Sequence, residues 1–154
     1  MSRNGDTSRA RWSTRRFRKG ECLSRRDSRD LAGVLARKAE GDAKAMRRLA
    51  SDPEIDDAAV GFHAQQAIEK WMKAVIAVRG LRLEKDHDLG LLLEILSGGG
   101  VDAPPGADWL DELTIYAVPM RYEDLLDVEP LDRDAVLKLV ADVGGWAARF
   151  VREE

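Results

Sequence analysis

The chain has 154 residues and a formal net charge of −3, and its composition is 44% hydrophobic, 34% charged and 6% aromatic. This length suits one domain with a modest core, and no apolar run approaches the roughly 18 residues that a transmembrane helix needs. The single cysteine, Cys22, excludes an internal disulfide and favours a reducing compartment. We therefore expect a cytoplasmic protein without a membrane-spanning segment.

The first 29 residues are strongly basic, with ten Lys and Arg against three Asp and Glu. They lack the apolar stretch of a secretory signal and show no sustained periodicity. We expect residues 1–28 to be a disordered arm and residues 29–154 to form one helical domain. The asymmetry is typical of a nucleic-acid-binding arm, but a plain tail, or residues added by a wrong start codon, would give the same pattern.

The first predicted helix runs from Ser28 or Asp30 to about Ala50. Its apolar stripe, at spacings of three and four, is formed by Leu31, Val34, Leu35, Ala45, Met46 and Leu49. Lys38 and Asp42 fall on the same stripe, and an unpaired buried carboxylate is costly. We expect these two side chains to pair across one helical turn at the edge of the stripe.

The second predicted helix runs from near Ile55 to Val78. Its continuous apolar face comprises Ile68, Trp71, Met72, Val75 and Ile76. Gly80 is the expected C-terminal stop, and Arg79 complements the helix dipole. A third, leucine-rich helix is predicted to start near Asp86 or His87.

Two more helices follow a glycine- and proline-rich loop. The fourth is predicted from about Asp108, with Pro119 kinking or interrupting it. The fifth is predicted to begin after Pro130, and the pair Gly144-Gly145 would permit a close approach of another helix. No strand alternation appears, so we predict an all-α, up-and-down antiparallel bundle of about five helices.

The run from Phe62 to Lys70 (FHAQQAIEK), then Gly80, then His87-Asp88-Leu89, resembles the HEPN family (higher eukaryotes and prokaryotes nucleotide-binding). The resemblance covers about residues 30–152. It implies an up-and-down bundle that commonly dimerises. It also implies one of two activities: metal-independent ribonuclease, often a toxin, or a nucleotide-binding or partner module of a minimal nucleotidyltransferase.

Arg82 and His87 match the Arg-x4-6-His pattern of HEPN ribonucleases. By that resemblance His87 would transfer the proton and Arg82 would hold the phosphate, doubled across a dimer interface, which suits the chemistry of imidazole and guanidinium groups. The family's motif normally lies later in the domain, where Arg121-Tyr122 resembles its Ala-Arg-Tyr-Pro segment and no histidine follows. The alternative is that His87 starts a helix, with Asp86 as the N-cap, and packs against a neighbour.

Two further groups are candidate nucleotide- or partner-binding residues. His63, Gln66 and Lys70 share a helix face, which suits a polar pocket for a base or phosphate, a dimer surface or a solvated face. In the group Tyr116, Arg121 and Tyr122, the arginine would bind phosphate while a tyrosine stacks a base. The alternative is that Arg121 pairs with a nearby carboxylate.

The sequence carries no metal-ligand spacing and no Walker or dinucleotide glycine motif, so we expect neither a metal nor a cofactor. The favoured hypothesis is a homodimeric binding module that works with a minimal nucleotidyltransferase in a toxin–antitoxin-like system. Nucleotide or RNA is the expected small or polymeric ligand. The alternative is a metal-independent endoribonuclease that uses Arg82 and His87.

Overall fold

The computed structural model describes residues 24–117 and 129–152, and within these ranges the chain forms five α-helices and one 3₁₀ helix, without a strand. The elements, in chain order, are α1 (Arg25–Ala50), α2 (Asp57–Val78), α3 (Leu89–Gly98), α4 (Ala107–Leu110), the 3₁₀ helix (Asp111–Ala117) and α5 (Arg133–Arg152). The predicted all-α bundle is confirmed. No helix in these ranges has the length and apolarity needed to cross a membrane.

Helix α1 begins earlier than predicted, inside the segment that we assigned to the arm. Ser24 is its N-cap, because its side-chain oxygen accepts from the backbone N–H of Asp27 at 3.1 Å. A serine that satisfies an otherwise unpaired amide of the first turn is a strong start signal. The preceding arm residues, 1–23, lie outside the described residues, as do residues 153–154.

Helix α2 is the centre of the bundle and contacts α1, α3, α5 and the 3₁₀ helix. More than half of its residues are buried, including the whole predicted apolar face. The predicted stop at Gly80 is confirmed: its φ is +68°, and its N–H donates to the carbonyl of Ala77 at 3.1 Å. Leu81 donates to Ile76 at 3.0 Å, which completes the Schellman motif that favours glycine.

Two glycines allow aromatic rings to lie against the helix backbone. A Cβ atom at Gly144 would come within 2.8 Å of the Trp71 ring, and one at Gly61 within 2.6 Å of the Tyr116 ring. The close contact at Gly144 is therefore with an aromatic side chain of α2, whereas the prediction was a close approach of another helix. Gly145 is exposed and has nothing within 4 Å of that position.

The fourth helix differs from the prediction, because one α-helical turn continues as a 3₁₀ helix. Its buried residues, Leu110, Leu113 and Tyr116, are three apart, and this spacing eclipses side chains on one face of a 3₁₀ helix. Pro119 lies outside the described residues. Helix α3 starts at Leu89, slightly later than predicted.

Arg133 joins the start of α5 to the α1–α2 connection, a role that its sequence position does not reveal. Its Nη1 donates to the carbonyls of Asp52 at 2.9 Å and Ala50 at 3.3 Å, and its Nε donates to Asp57 at 3.0 Å. The Leu131 N–H donates to the same Asp57 carboxylate at 2.9 Å. The guanidinium group therefore neutralises the carbonyl end of α1 and anchors α5 beside it.

Candidate functional site

Polar side chains line one face of the central helix and connect it to α1 and to the loop 79–88. We call this group the α2 polar network; its members are Asp42, His63, Gln65, Gln66, Glu69, Lys70, Lys73 and His87. Glutamine and glutamate side chains on a helix usually face the solvent, whereas Gln65 and Glu69 are buried. Buried polar groups need partners, and the network provides them.

The half of the network next to α1 is built on Asp42. Its carboxylate contacts His63 Nδ1 at 3.1 Å and also accepts from Lys70 Nζ. The side chains of Asp42, Lys70 and His63 are 16%, 24% and 30% exposed, so the group is half-buried between α1 and α2. The expected pairing of Asp42 with Lys38 is wrong, because partners across the helix interface satisfy Asp42 and Lys38 is exposed.

The other half is built on Glu69, which is 4% exposed. The carboxylate accepts from Gln65 Nε2 at 2.9 Å and from Lys73 Nζ at 2.8 Å, and it contacts His87 Nδ1 at 2.9 Å. Burial by itself raises the pKa of Glu69, but the hydrogen bonds from Lys73 and Gln65, the charge of Lys73 and the contact with His87 together lower that pKa below its usual value. Glu69 is therefore an ionised carboxylate inside the protein at neutral pH.

The His87 imidazole lies at the surface, with its side chain 61% exposed, while its Nδ1 faces the buried Glu69. An ionised carboxylate accepts, so Nδ1 donates, and in the neutral ring Nε2 is then the acceptor. Gln65 also fixes the loop, since its Nε2 donates to the carbonyl of His87 at 3.1 Å. The predicted N-cap role of Asp86 is taken by Asp88, which accepts from the Gly90 N–H at 2.8 Å.

Arg82 and His87 share a loop but have different partners. Arg82 is 69% exposed, and its Nε donates to Glu84 at 2.9 Å. His87 contacts Glu69 instead. Within the described chain, each of the two predicted catalytic side chains therefore pairs with a different carboxylate.

The predicted binding residues divide into three groups. His63, Gln66 and Lys70 lie together on α2, and Gln66 Nε2 donates to Gln65 Oε1 at 2.7 Å, which links the two halves of the network. Tyr116 is buried below Gly61, away from this surface, and burial, with a smaller effect of the Asp57 charge, raises its pKa. Arg121 and Tyr122 lie outside the described residues.

The charged side chains of the α2 polar network pair with one another. Two lysines face two carboxylates, and both histidines contact a carboxylate as well. Little fixed positive charge is left to neutralise a phosphate group, which needs unpaired cations. The arrangement offers directional hydrogen-bonding groups and one exposed imidazole. Within residues 24–117 and 129–152, no cluster of three or more metal-ligating side chains is present.

The sequence did not predict the roles of Glu69 and Lys73, or the pairing of Asp42 with His63 and Lys70. One signal for Glu69 was available, since Gln65, Glu69 and Lys73 recur every four residues along α2, the spacing at which side chains meet on a helix. The contacts between Asp42 and α2 have no comparable signal, because their partners are 21 and 28 residues away along the chain.

The fold is an all-α bundle around a central helix, and His87 lies in the loop that precedes the next helix. The family model described as the HEPN domain matches residues 32–149, more than half of the chain. The chain belongs to the HEPN family. The comparisons with curated proteins and with solved structures each return no match.

Proposed function

We propose that this protein is a cytoplasmic HEPN binding module that works with a minimal nucleotidyltransferase. The exposed edge of the α2 polar network, formed by His63, Gln66, Lys70 and His87, is the recognition surface in this proposal. The HEPN resemblance of the sequence implies such a partner. A homodimer is the functional unit in this proposal, because the HEPN resemblance implies dimerisation, and the exposed apolar side chains of Leu83 and Ile115 are candidate contacts between copies.

The observation that carries the proposal is that Arg82 and His87 have different partners. Arg82 pairs with Glu84 at 2.9 Å, while His87 contacts Glu69 at 2.9 Å. A ribonuclease needs a cation and an imidazole over the same phosphate. The balanced charges of the network also favour a polar protein partner, because an interface core avoids unpaired charges and uses satisfied hydrogen bonds.

A binding measurement with the purified partner tests this proposal. The full chain would be titrated with a minimal nucleotidyltransferase from the same genome, by calorimetry and by size-exclusion chromatography with light scattering. We expect a stable complex with a Kd of about 10 µM or lower. His87→Ala and Gln66→Ala should each weaken it about tenfold, the usual effect of truncating a central contact.

Lys138→Ala is the matched control. Lys138 is 79% exposed on α5 and pairs only locally with Asp142 at 2.8 Å, so its removal should leave the affinity unchanged. Absence of a complex at about 100 µM of each protein, or an equal loss in all three variants, would contradict the proposal.

A specific observation favours ribonuclease as the second candidate. The Glu69 carboxylate orients the exposed His87 ring through Nδ1, an arrangement that fixes the tautomer of a general acid or base. In a homodimer, Arg82 of one copy would supply the cation for His87 of the other.

Cleavage of mixed RNA in EDTA separates the two candidates. The wild type would be compared with His87→Ala, Arg82→Ala and Lys85→Ala, the last being an exposed cation of the same loop. The binding-module proposal predicts no cleavage by any of them. Metal-independent cleavage that is lost with His87→Ala and Arg82→Ala, and kept with Lys85→Ala, would establish the ribonuclease instead.

A further inference from the structure

The buried carboxylate of Glu69 determines the direction of the hydrogen bonds in the α2 polar network. Glu69 is 4% exposed, accepts from Gln65 Nε2 at 2.9 Å and contacts His87 Nδ1 at 2.9 Å. An ionised carboxylate has only acceptor atoms. Both neighbours must therefore direct N–H groups toward Glu69, and this requirement fixes the orientation of each of them.

The orientation of Gln65 in turn fixes that of Gln66. The two N–H groups of Gln65 Nε2 donate to Glu69 at 2.9 Å and to the carbonyl of His87 at 3.1 Å, so Oε1 is the atom of Gln65 that faces Gln66. Gln66 meets this oxygen with its own Nε2, at 2.7 Å. The Gln66 amide therefore uses its nitrogen inside the network, which leaves its Oε1 as an acceptor at the half-buried edge.

The exposed His87 ring has the same polarity. Its Nδ1 donates to Glu69, so Nε2 is the acceptor in the neutral ring, and the side chain is 61% exposed. Gln65 connects the two groups, because it bonds both to the His87 carbonyl and to the Gln66 side chain. Two acceptor atoms are therefore joined through one buried side chain at this edge.

The other end of the recognition surface is less selective. His63 also has its Nδ1 next to a carboxylate, that of Asp42 at 3.1 Å, which leaves Nε2 as an acceptor. Lys70, however, pairs with the same carboxylate and brings a cation with further N–H groups. The end formed by Gln66 and His87 is therefore the acceptor-rich end.

The charges around His87 favour a cationic ligand over an anionic one. Asp86 and Asp88 flank His87 in the chain, and both are exposed. Lys85 is an exposed cation of the same loop, whereas Lys73 is 13% exposed and pairs at 2.8 Å with the buried carboxylate. The two aspartates beside two acceptors disfavour phosphates and carboxylates, and they attract a group that combines N–H donors with a positive charge.

Arginine is the side chain that fits this description. Its guanidinium group has five N–H donors in a planar fork and no acceptor, so it can donate to two acceptors at once, whereas the lysine ammonium group is a compact point charge. Arginine is also enriched among the residues that contribute most to binding at protein interfaces.

We propose that the end of the recognition surface formed by Gln66 and His87 binds an arginine side chain of the protein partner, which donates to Gln66 Oε1 and His87 Nε2. This inference rests on the proposed function and adds the chemistry of the contact.

The polarity of the surface is tested on the full chain without a partner. Long-range ¹H–¹⁵N NMR spectra at about pH 8, where an ordinary imidazole is neutral, distinguish a protonated ring nitrogen from an unprotonated one. We expect the proton of His87 on Nδ1, with Nε2 unprotonated. His63→Gln removes the signals of the second histidine and so assigns those of His87.

The charge of the partner's group is tested by calorimetry with the minimal nucleotidyltransferase from the same genome. Gln66→Glu should tighten the complex about threefold to tenfold, because a carboxylate forms a stronger hydrogen bond with guanidinium. Gln66→Lys should weaken it about tenfold or more, because like charges then meet. Lys138→Gln and Glu94→Gln make the same two changes of net charge at exposed positions of α5 and α3, and each should change the affinity less than about twofold.

A charge exchange identifies the arginine. Exposed arginines of the nucleotidyltransferase would be replaced by glutamate one at a time, and one of these variants should bind Gln66→Lys more tightly than it binds the wild type. Thermal unfolding of each free variant checks folding.

Four outcomes would overturn the inference, and they differ in what they mean for the proposed function. A proton on His87 Nε2 in the neutral ring would remove the acceptor, whether or not a complex forms. A complex that Gln66→Lys strengthens, or that both Gln66 variants weaken equally, would keep the proposed function and assign the contact to an acidic or a neutral group. A complex for which no arginine variant prefers Gln66→Lys would also keep the proposed function. The predicted proton position without any complex would overturn both.

Discussion

Glu69 is a charged residue in the most buried helix of the molecule, and its environment makes the charge favourable. Glu69→Gln keeps the shape of the side chain but removes the charge opposite Lys73, whose side chain is 13% exposed. We expect the free energy of unfolding to fall by about 1–3 kcal/mol at pH 7, as when a buried charged hydrogen bond is lost. Urea denaturation measures the change. Glu94→Gln, an exposed glutamate of α3, should change stability little.

The same carboxylate predicts a pH dependence. Its pKa is lower in the folded protein than in the unfolded chain, so its stabilising contribution is complete above about pH 5, where the carboxyl is ionised in both states. It is lost as the pH falls below the ordinary glutamate pKa of about 4.3 and through the lowered pKa of the folded protein. Between pH 5 and 3 the wild type should therefore lose more stability than Glu69→Gln does. Parallel losses in urea titrations of both proteins would show that Glu69 does not contribute.

Adjacent glycines of α5 give a matched pair of variants with opposite expected effects. Gly144→Ala places a Cβ atom 2.8 Å from the Trp71 ring, and overpacking of this kind costs about 1–3 kcal/mol. Gly145→Ala meets nothing within 4 Å and should gain up to about 1 kcal/mol from helix propensity. Differential scanning calorimetry should show a lower Tm for the first variant and a higher Tm for the second. A higher Tm for both would mean that Trp71 moves aside without loss.

Among the elements, the connection between α1 and α2 depends on a side chain from α5. Arg133→Ala removes donors to Asp52, Ala50 and Asp57 at 2.9, 3.3 and 3.0 Å. We expect a loss of about 2–3 kcal/mol, because hydrogen bonds to charged groups dominate the effect. In this variant, the rate of amide hydrogen exchange should increase more at the end of α1 and the start of α2 than at the centre of α2. Arg133→Lys should restore little, since an ammonium group cannot reach these acceptors as a fork does; full recovery by lysine would contradict this view.

The elements that sequence predicts well are those with local signals. The apolar face of α2 and its stop at Gly80 depend on spacing and on a positive φ, and both appear in the structure. The 3₁₀ helix was not predicted, because a spacing of three residues between Leu110, Leu113 and Tyr116 also fits one face of an α-helix. His63, Gln66 and Lys70 were correctly grouped on one face, but Asp42 joins them through contacts between helices that no local pattern encodes.

At the scale of the whole molecule, the proposed homodimer would use an exposed apolar residue of the 3₁₀ helix, Ile115, as a contact between copies. Ile115 is 47% exposed, and the adjacent Thr114 hydroxyl accepts from the Leu89 N–H at 3.3 Å, which connects this surface to the start of α3. We expect the wild type to be a dimer at micromolar concentration and Ile115→Glu to be a monomer, because a buried charge opposes association. Light scattering measures the mass. Glu112→Gln, on the same helix and exposed, should remain dimeric; a monomeric wild type would contradict the dimer.

The pairing of Asp42 with α2 also determines how far α1 can slide. The buried side of α1 has three alanines, at positions 32, 39 and 43, and one large side chain, Met46. Small side chains of equal size fit a neighbouring helix in several alignments. Asp42 meets both His63 and Lys70 in only one of these alignments. A shift of one turn would leave a half-buried carboxylate without its hydrogen-bond partners, and buried polar groups are known to select one register in this way. The polar network therefore adds a directional constraint to the alignment of the two longest helices, which the alanine contacts alone constrain weakly.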